Sequence, residues 1–389
     1  MKKNSFYSLL FAIFATMILA LVACNNVEKK PEQGKLSIIT TIYPEYAWLK
    51  EILGTRADSV DITLLIKNGV DLHSYKPTAQ DIAKIASANM VVYVGGESDE
   101  WIKDALEASP KKDRAEVNLM VALGDRVKAE EVVEGMQNTE TKDERRETKE
   151  EEHHHDEHAE EHEHHDEHKE HAEEHHNEHA QHHSKIGKRD EHHDEHAEEH
   201  HHHHDNEEEI ENDEHVWLSL KNAEILVQKI AAELAKLDAT HAQIYAQNAN
   251  TYIAQIKSLD IEYRTAVESA ARKTVLFGDR FPFRYLVDDY GIKYYAAFVG
   301  CSAESEASFK TIAFLAGKMD SLSLPTIFTI EKGNQKIANA VLAASKNSKQ
   351  AQVLIINSMQ SITEQQIAEG ISYLSIMSSN LEVLKKALN

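Results

Sequence analysis

Residues 36–66 read Leu36-Ser37-Ile38-Ile39-Thr40-Thr41, then a helix-like run from Pro44 to Leu53, then Val60-Asp61-Ile62-Thr63-Leu64-Leu65-Ile66. The two outer runs are short, apolar and β-branched, which favours strands. The unit then repeats. Thr78, a good N-cap residue, opens an amphipathic stretch to Ala88, and Met90-Val91-Val92-Tyr93-Val94 follows with no polar alternation. Continuous apolar character is what a parallel strand covered on both faces requires. Strand, helix, strand in this order predicts a parallel α/β sheet.

The same pattern returns downstream. Order is expected to resume at Val216, and residues 219–270 read helical almost throughout, with a break near Asp238-Ala239-Thr240. A helix of 25–30 residues would span roughly 40 Å, enough to act as a strut between lobes. A second α/β run is predicted after it, with strands at 274–278, 294–299, 326–330 and 353–356 and helices at 282–290, 306–320, 334–346 and 363–388. The predicted fold is α/β: two parallel-sheet lobes, at 36–218 and 272–389, joined by a helical connector at 219–271 that includes the long interlobe helix.

Between about 130 and 214 the composition changes. From 140 to 214 there is no proline or aromatic residue, and 31 acidic residues face 8 basic ones, nearly the whole net charge of −24. The acidity therefore belongs to one insert rather than to the fold, and no basic face suggests nucleic-acid binding. This stretch holds 22 of the 25 histidines, and Asp156-Glu157-His158-Ala159-Glu160-Glu161-His162 recurs identically at 194–200. It is expected to be disordered, because it cannot bury enough apolar surface to offset the entropy of ordering. A merely solvated acidic loop has no need of imidazoles. Imidazole and carboxylate together favour divalent transition metals, with copper and zinc ranked above manganese. Many weak sites on one chain would raise the local metal concentration.

The N-terminus is set aside from the fold. Lys2 and Lys3 precede an apolar run from Phe6 to Val22, which ends Leu21-Val22-Ala23-Cys24. This resembles a bacterial lipoprotein signal at 1–23, cut before a lipid-bearing Cys24, with a polar tether at 24–35. The expected location is the outer face of the cytoplasmic membrane. Only Cys301 remains beyond Cys24, so a lipidated monomer has no intramolecular disulfide.

Two segments carry candidate chemistry. Gly69-Val70-Asp71-Leu72-His73-Ser74-Tyr75-Lys76-Pro77-Thr78 follows the second strand, and ligands in open parallel sheets bind outside the carboxyl ends of strands. Asp213-Glu214-His215-Val216-Trp217-Leu218 lies where the insert rejoins the fold, with Trp217 placed to hold His215 rigid. Neutral imidazoles at His73 and His215 are natural zinc ligands. His241 is read as a surface residue.

Together these segments resemble the zinc and manganese substrate-binding lipoproteins of ABC importers. That family shows Gly-x-Asp-Pro-His-x-Tyr-x-Pro-Thr and Asp-Pro-His-x-Trp-Leu motifs, with an acidic His-rich insert in zinc members. Both motifs are matched, except that Leu72 and Glu214 stand where proline is usual. Val91-Val92-Tyr93 and Trp101 also look familial. The resemblance covers about 36–389. It implies that His73 and His215 are metal ligands, that Zn2+ is the transported ligand with Mn2+ or iron as alternatives, and that the partner is an ABC permease. A surface adhesin or zinc-storage lipoprotein is a further alternative.

The second lobe departs from this pattern. Relatives place His or Glu a few residues before an aromatic-x-Tyr run. Here the run is Phe283-Arg284-Tyr285-Leu286 and the matching residue is Arg280, which stays protonated and cannot ligate. Asp279, Cys301, Glu306, Glu331 and Asn357 remain as candidates for a third ligand. Cys301 is the softest and would favour zinc, but a lone thiol outside the cell is open to oxidation. Asp279 is therefore the expected third ligand, with Asp279 and Glu331 neutralising Arg280. No His-Glu-x-x-His helix and no Gly-x-Ser-x-Gly elbow occurs, so the chain is not expected to be an enzyme.

Overall fold

The computed structural model describes residues 35–137, 211–302, 306–346 and 351–389. The expected signal segment, Cys24, the tether up to residue 34 and the expected disorder between 138 and 210 lie outside the described residues.

The first lobe runs β1 (Leu36–Thr40), α1 (Tyr43–Leu53), β2 (Val60–Leu64), α2 (Ala79–Ser87), β3 (Met90–Tyr93), α3 (Trp101–Ala108), β4 (Ala115–Asn118) and α4 (Leu119–Leu123). All four strands are parallel, in the order β2-β1-β3-β4. Thr78 caps α2 as expected: its hydroxyl accepts the Asp81 N–H, and the Asp81 carboxylate accepts the Thr78 N–H. Met90, Val91 and Val92 are fully buried, which explains their unbroken apolar run. The sequence reading did not include β4. Only Val117 of that strand is buried, and its place depends on pairing with β3 at Val92.

Two helices follow, α5 (Leu220–Leu237) and α6 (Ala242–Glu268), separated by a turn at Ala239–His241. Along α6 the side chains of Tyr245, Ala249, Tyr252, Ile256, Leu259, Tyr263 and Val267 are buried, an apolar stripe at helical spacing. The 27 residues of α6 extend about 40 Å. The helix reaches the first lobe, where Asn248 donates to Ile52 O, and the second, where the buried Tyr263 hydroxyl donates to Met377 O. His241 is half-buried and pairs with Asp238 at 2.8 Å in the turn.

The second lobe comprises β5 (Thr274–Phe281), α7 (Arg284–Tyr290), β6 (Lys293–Val299), α8 (Phe309–Ser321), β7 (Thr326–Ile330), α9 (Lys336–Ala344), β8 (Gln352–Ile356), α10 (Glu364–Ala368) and α11 (Tyr373–Leu388). Its sheet is again parallel, ordered β6-β5-β7-β8. The predicted α/β architecture of two parallel-sheet lobes is observed.

One correction concerns the insert. Residues 130–137 and 211–214 were expected to share its disorder, yet they have defined partners. Glu130 N–H donates to Glu211 O and Asp213 N–H to Lys128 O, each at 2.8 Å, around an antiparallel bridge between Ala129 and Asn212. Val133 and Met136 pack against the core, and Gln137 N–H donates to Ala297 O on β6. Apolar side chains and backbone pairing fix these stems, which the composition of the tract between them obscured.

Candidate metal centre

The carboxyl ends of both sheets supply loops to one cleft. The loop after β2 carries His73. Asp71 caps a short 3-10 turn, Leu72–Ser74, by accepting the His73 N–H at 3.0 Å. Leu72, where a proline was expected, is fully buried beneath the turn. His73 Nδ1 lies 2.6 Å from Ser98 Oγ, which turns Nε2 towards the cleft. Burial and the neighbouring His215 push the His73 pKa down to about 3. The imidazole is therefore neutral at physiological pH, the form a metal requires.

His215 is fully buried. Asp213 Oδ1 accepts both its backbone N–H, at 2.8 Å, and its ring, with Nδ1 at 3.0 Å. A carboxylate on Nδ1 fixes the tautomer and leaves the Nε2 lone pair free for a metal. Trp217 holds the turn from the other side. Its indole N–H donates to Ser358 O in the second lobe, and Tyr373 donates to Trp217 O. Glu214 also supports the pair: Oε1 accepts the Ser98 N–H, while the buried Oε2 lies 3.7 Å from His73 Nδ1.

His73 Nε2 and His215 Nε2 stand 3.2 Å apart. Two nitrogens about 2.0–2.1 Å from a tetrahedral zinc ion are about 3.3 Å apart, so the pair already has the spacing of a shared ion. Cys301 joins them: the donor atoms of His73, His215 and Cys301 all lie within 4.8 Å of one another. Gly300 permits this approach, because a β-carbon there would meet Phe281 O at 2.9 Å and His215 Cε1 at 3.0 Å. The Cys301 N–H donates to Glu130 Oε1 on the insert stem. Burial pushes the Cys301 thiol up, and Glu130, Asp213 and Glu214 push it further, so the free thiol is protonated at neutral pH.

The structure does not bring Asp279 to this group. Its Oδ1 accepts the Arg280 N–H and its Oδ2 the Ile330 N–H, so both oxygens serve the backbone. Burial raises its pKa. The ion pair of Arg280 is made with Asp71 rather than with Asp279 or Glu331: its Nη2 donates across the cleft to Asp71 Oδ2 at 2.6 Å. Burial pushes Asp71 up, but Arg280 beside it outweighs this and holds the carboxyl below its usual range. Glu331 accepts from Ser358 N, Ser358 Oγ and Gln360 N, and so shapes the loop after β8. Asn357 Oδ1 accepts the Met359 N–H within that loop. Glu306 is exposed and outside the donor group.

One residue was missed by the sequence reading. Gln360 places its amide Nε2 2.5 Å from His215 Nε2 and 3.2 Å from His73 Nε2. The only available signal was its place just beyond a second-lobe strand, on the same loop as Asn357.

The fold is thus two-lobed α/β, with soft and borderline donors converging in its cleft. The chain belongs to the family described as zinc-uptake complex component A, periplasmic, whose profile matches residues 38–387. The zinc-binding lipoprotein AdcA of Streptococcus pneumoniae is 30% identical over 388 residues, 99% of this chain, and the chain spans 61% of that relative's length. The high-affinity zinc uptake system protein ZnuA of Bacillus subtilis is 28% identical over 386 residues, 98% of each chain. Among solved structures, the Zn(II)-bound ZnuA-like domain of Streptococcus pneumoniae AdcA superposes with a TM-score of 0.59 at 25% identity, covering 91% of this chain and 99% of that one.

Proposed function

We propose that this chain captures zinc in its interlobe cleft outside the cell and delivers it to the permease of an ABC importer, held at the membrane by lipid on Cys24. The observation that carries the reading is the convergence of His73, His215 and Cys301 within 4.8 Å. Two imidazoles and a thiolate suit zinc, whereas manganese prefers harder oxygen donors. Zinc would displace the Cys301 proton on binding, as coordinating metals do. A half-turn of the Gln360 amide exchanges its nitrogen for Oε1 and offers a fourth, neutral donor. Kinship with zinc-uptake proteins and the lipoprotein-like run before Cys24 support the extracytoplasmic setting and the permease partner.

The test is competitive titration of the whole protein in the presence of a chelator strong enough to strip the histidine tract. One zinc ion per chain should remain, undisturbed by a large excess of manganese. Retention of manganese in preference to zinc would overturn the reading.

A further inference from the structure

Arg280 stands where relatives were expected to carry a ligand, and it ties together both loops that supply donors. Its Nη2 donates to Asp71 Oδ2 at 2.6 Å, and the other Asp71 oxygen accepts the N–H of His73 itself. Its Nη1 donates to Ser302 O at 3.3 Å, the residue after Cys301. Arg280 sits on β5, in register with Phe298 of β6, so its own base is fixed by the sheet. The ion pair is largely screened from water, with the two side chains 17% and 21% exposed.

Lys332 reaches the same first-lobe loop. Gly69 has φ +77°, and a β-carbon there would stand 1.3 Å from Lys332 Nζ. Two cations of the second lobe therefore close on the loop 69–74, from which His73 projects.

We infer that Arg280 is a positioning residue, a clamp across the cleft that holds the His73 turn and the Cys301 loop in one site and so retains the bound ion. This rests on the zinc-binding reading above. Arginine suits the task because its planar fork reaches two acceptors from separate nitrogens, which lysine cannot do. The pairing also removes an objection to a fixed cation beside a divalent ion. Asp71 carries the opposite charge at hydrogen-bond distance, and the two fields largely cancel at the site.

The experiment follows zinc release from the whole protein into excess chelator, taking the slow phase as the cleft site. Arg280→Met and Asp71→Asn should each raise that rate about tenfold or more, because breaking one partner of a screened charge pair acts mainly on dissociation. The association rate should change by less than about threefold. The double variant should release zinc no faster than either single one, since all three break one link. Arg280→Lys should fall between parent and Arg280→Met, and it carries the test with Asp71→Asn should the methionine variant not fold.

Tighter zinc binding in Arg280→Met would overturn the inference, because charge repulsion would then be the arginine's main effect. Unchanged release rates, or multiplying effects in the double variant, would overturn it too. A parent that holds no zinc in the cleft fails the earlier reading instead.

Discussion

The two lobes reach the same cleft by different means. In the first lobe each donor is held by a residue close in sequence: Asp71 accepts the N–H of His73, and Asp213 takes both the N–H and the ring of His215. In the second lobe the candidate donors are held from far away. Cys301 hangs on Glu130 of the insert stem, and the Gln360 loop is shaped by Glu331 at the end of another strand. Locally fixed donors leave a contiguous motif, while remotely fixed ones leave scattered single residues.

The largest effect should come from the first lobe. His215→Ala removes a fully buried donor and should cost more than the tenfold to hundredfold loss typical of an outer partner, read by competitive zinc titration. A loss below tenfold would mean that the two lobes share the ion differently. Next comes the contrast inside the second lobe. Cys301→Ser should weaken zinc at least about tenfold, whereas Asp279→Ala should leave affinity within about threefold, because only a direct ligand loses a metal bond. The reverse order would restore the carboxylate as the second-lobe ligand.

Acidity sharpens the same contrast. The Cys301 thiol is raised and so protonated in the free protein, while His73, held at about 3, is already neutral. Zinc binding between pH 7 and 8.5 should then release a proton from Cys301. Affinity should rise about tenfold per pH unit and fall correspondingly as pH drops. Cys301→Ser should flatten that slope, and an unchanged slope would place the proton elsewhere. The smallest effect belongs to Gln360→Ala, about tenfold or less, since a neutral amide oxygen is a weak fourth donor.

Much of this was legible in the sequence. The runs at Leu36, Val60 and Met90 marked their strands because a buried parallel strand has few other ways to be written. The break near Asp238 and the long helix after it were equally plain. His73 and His215 stood out because their supporting carboxylates and Trp217 lie within two residues of them. What was not legible depended on folding. No local pattern shows that Asp279 spends both oxygens on backbone N–H groups, or that Arg280 finds Asp71, 209 positions away. Oxidation argues against a lone thiol in an extended chain, but folding leaves Cys301 half-buried, its thiol within 4.8 Å of two imidazoles and its N–H held by Glu130 of the insert stem.

The most direct test is the near-ultraviolet spectrum of the cobalt-substituted protein. Cys301 is the only cysteine after Cys24 and the histidine tract offers no sulfur, so with Cys24 replaced by serine a thiolate-to-cobalt band can arise only at the cleft. The expected result is an intense band at one cobalt per chain that disappears in Cys301→Ser and persists in Asp279→Ala. A cobalt protein with no such band, its zinc affinity intact, would contradict the His73–His215–Cys301 site.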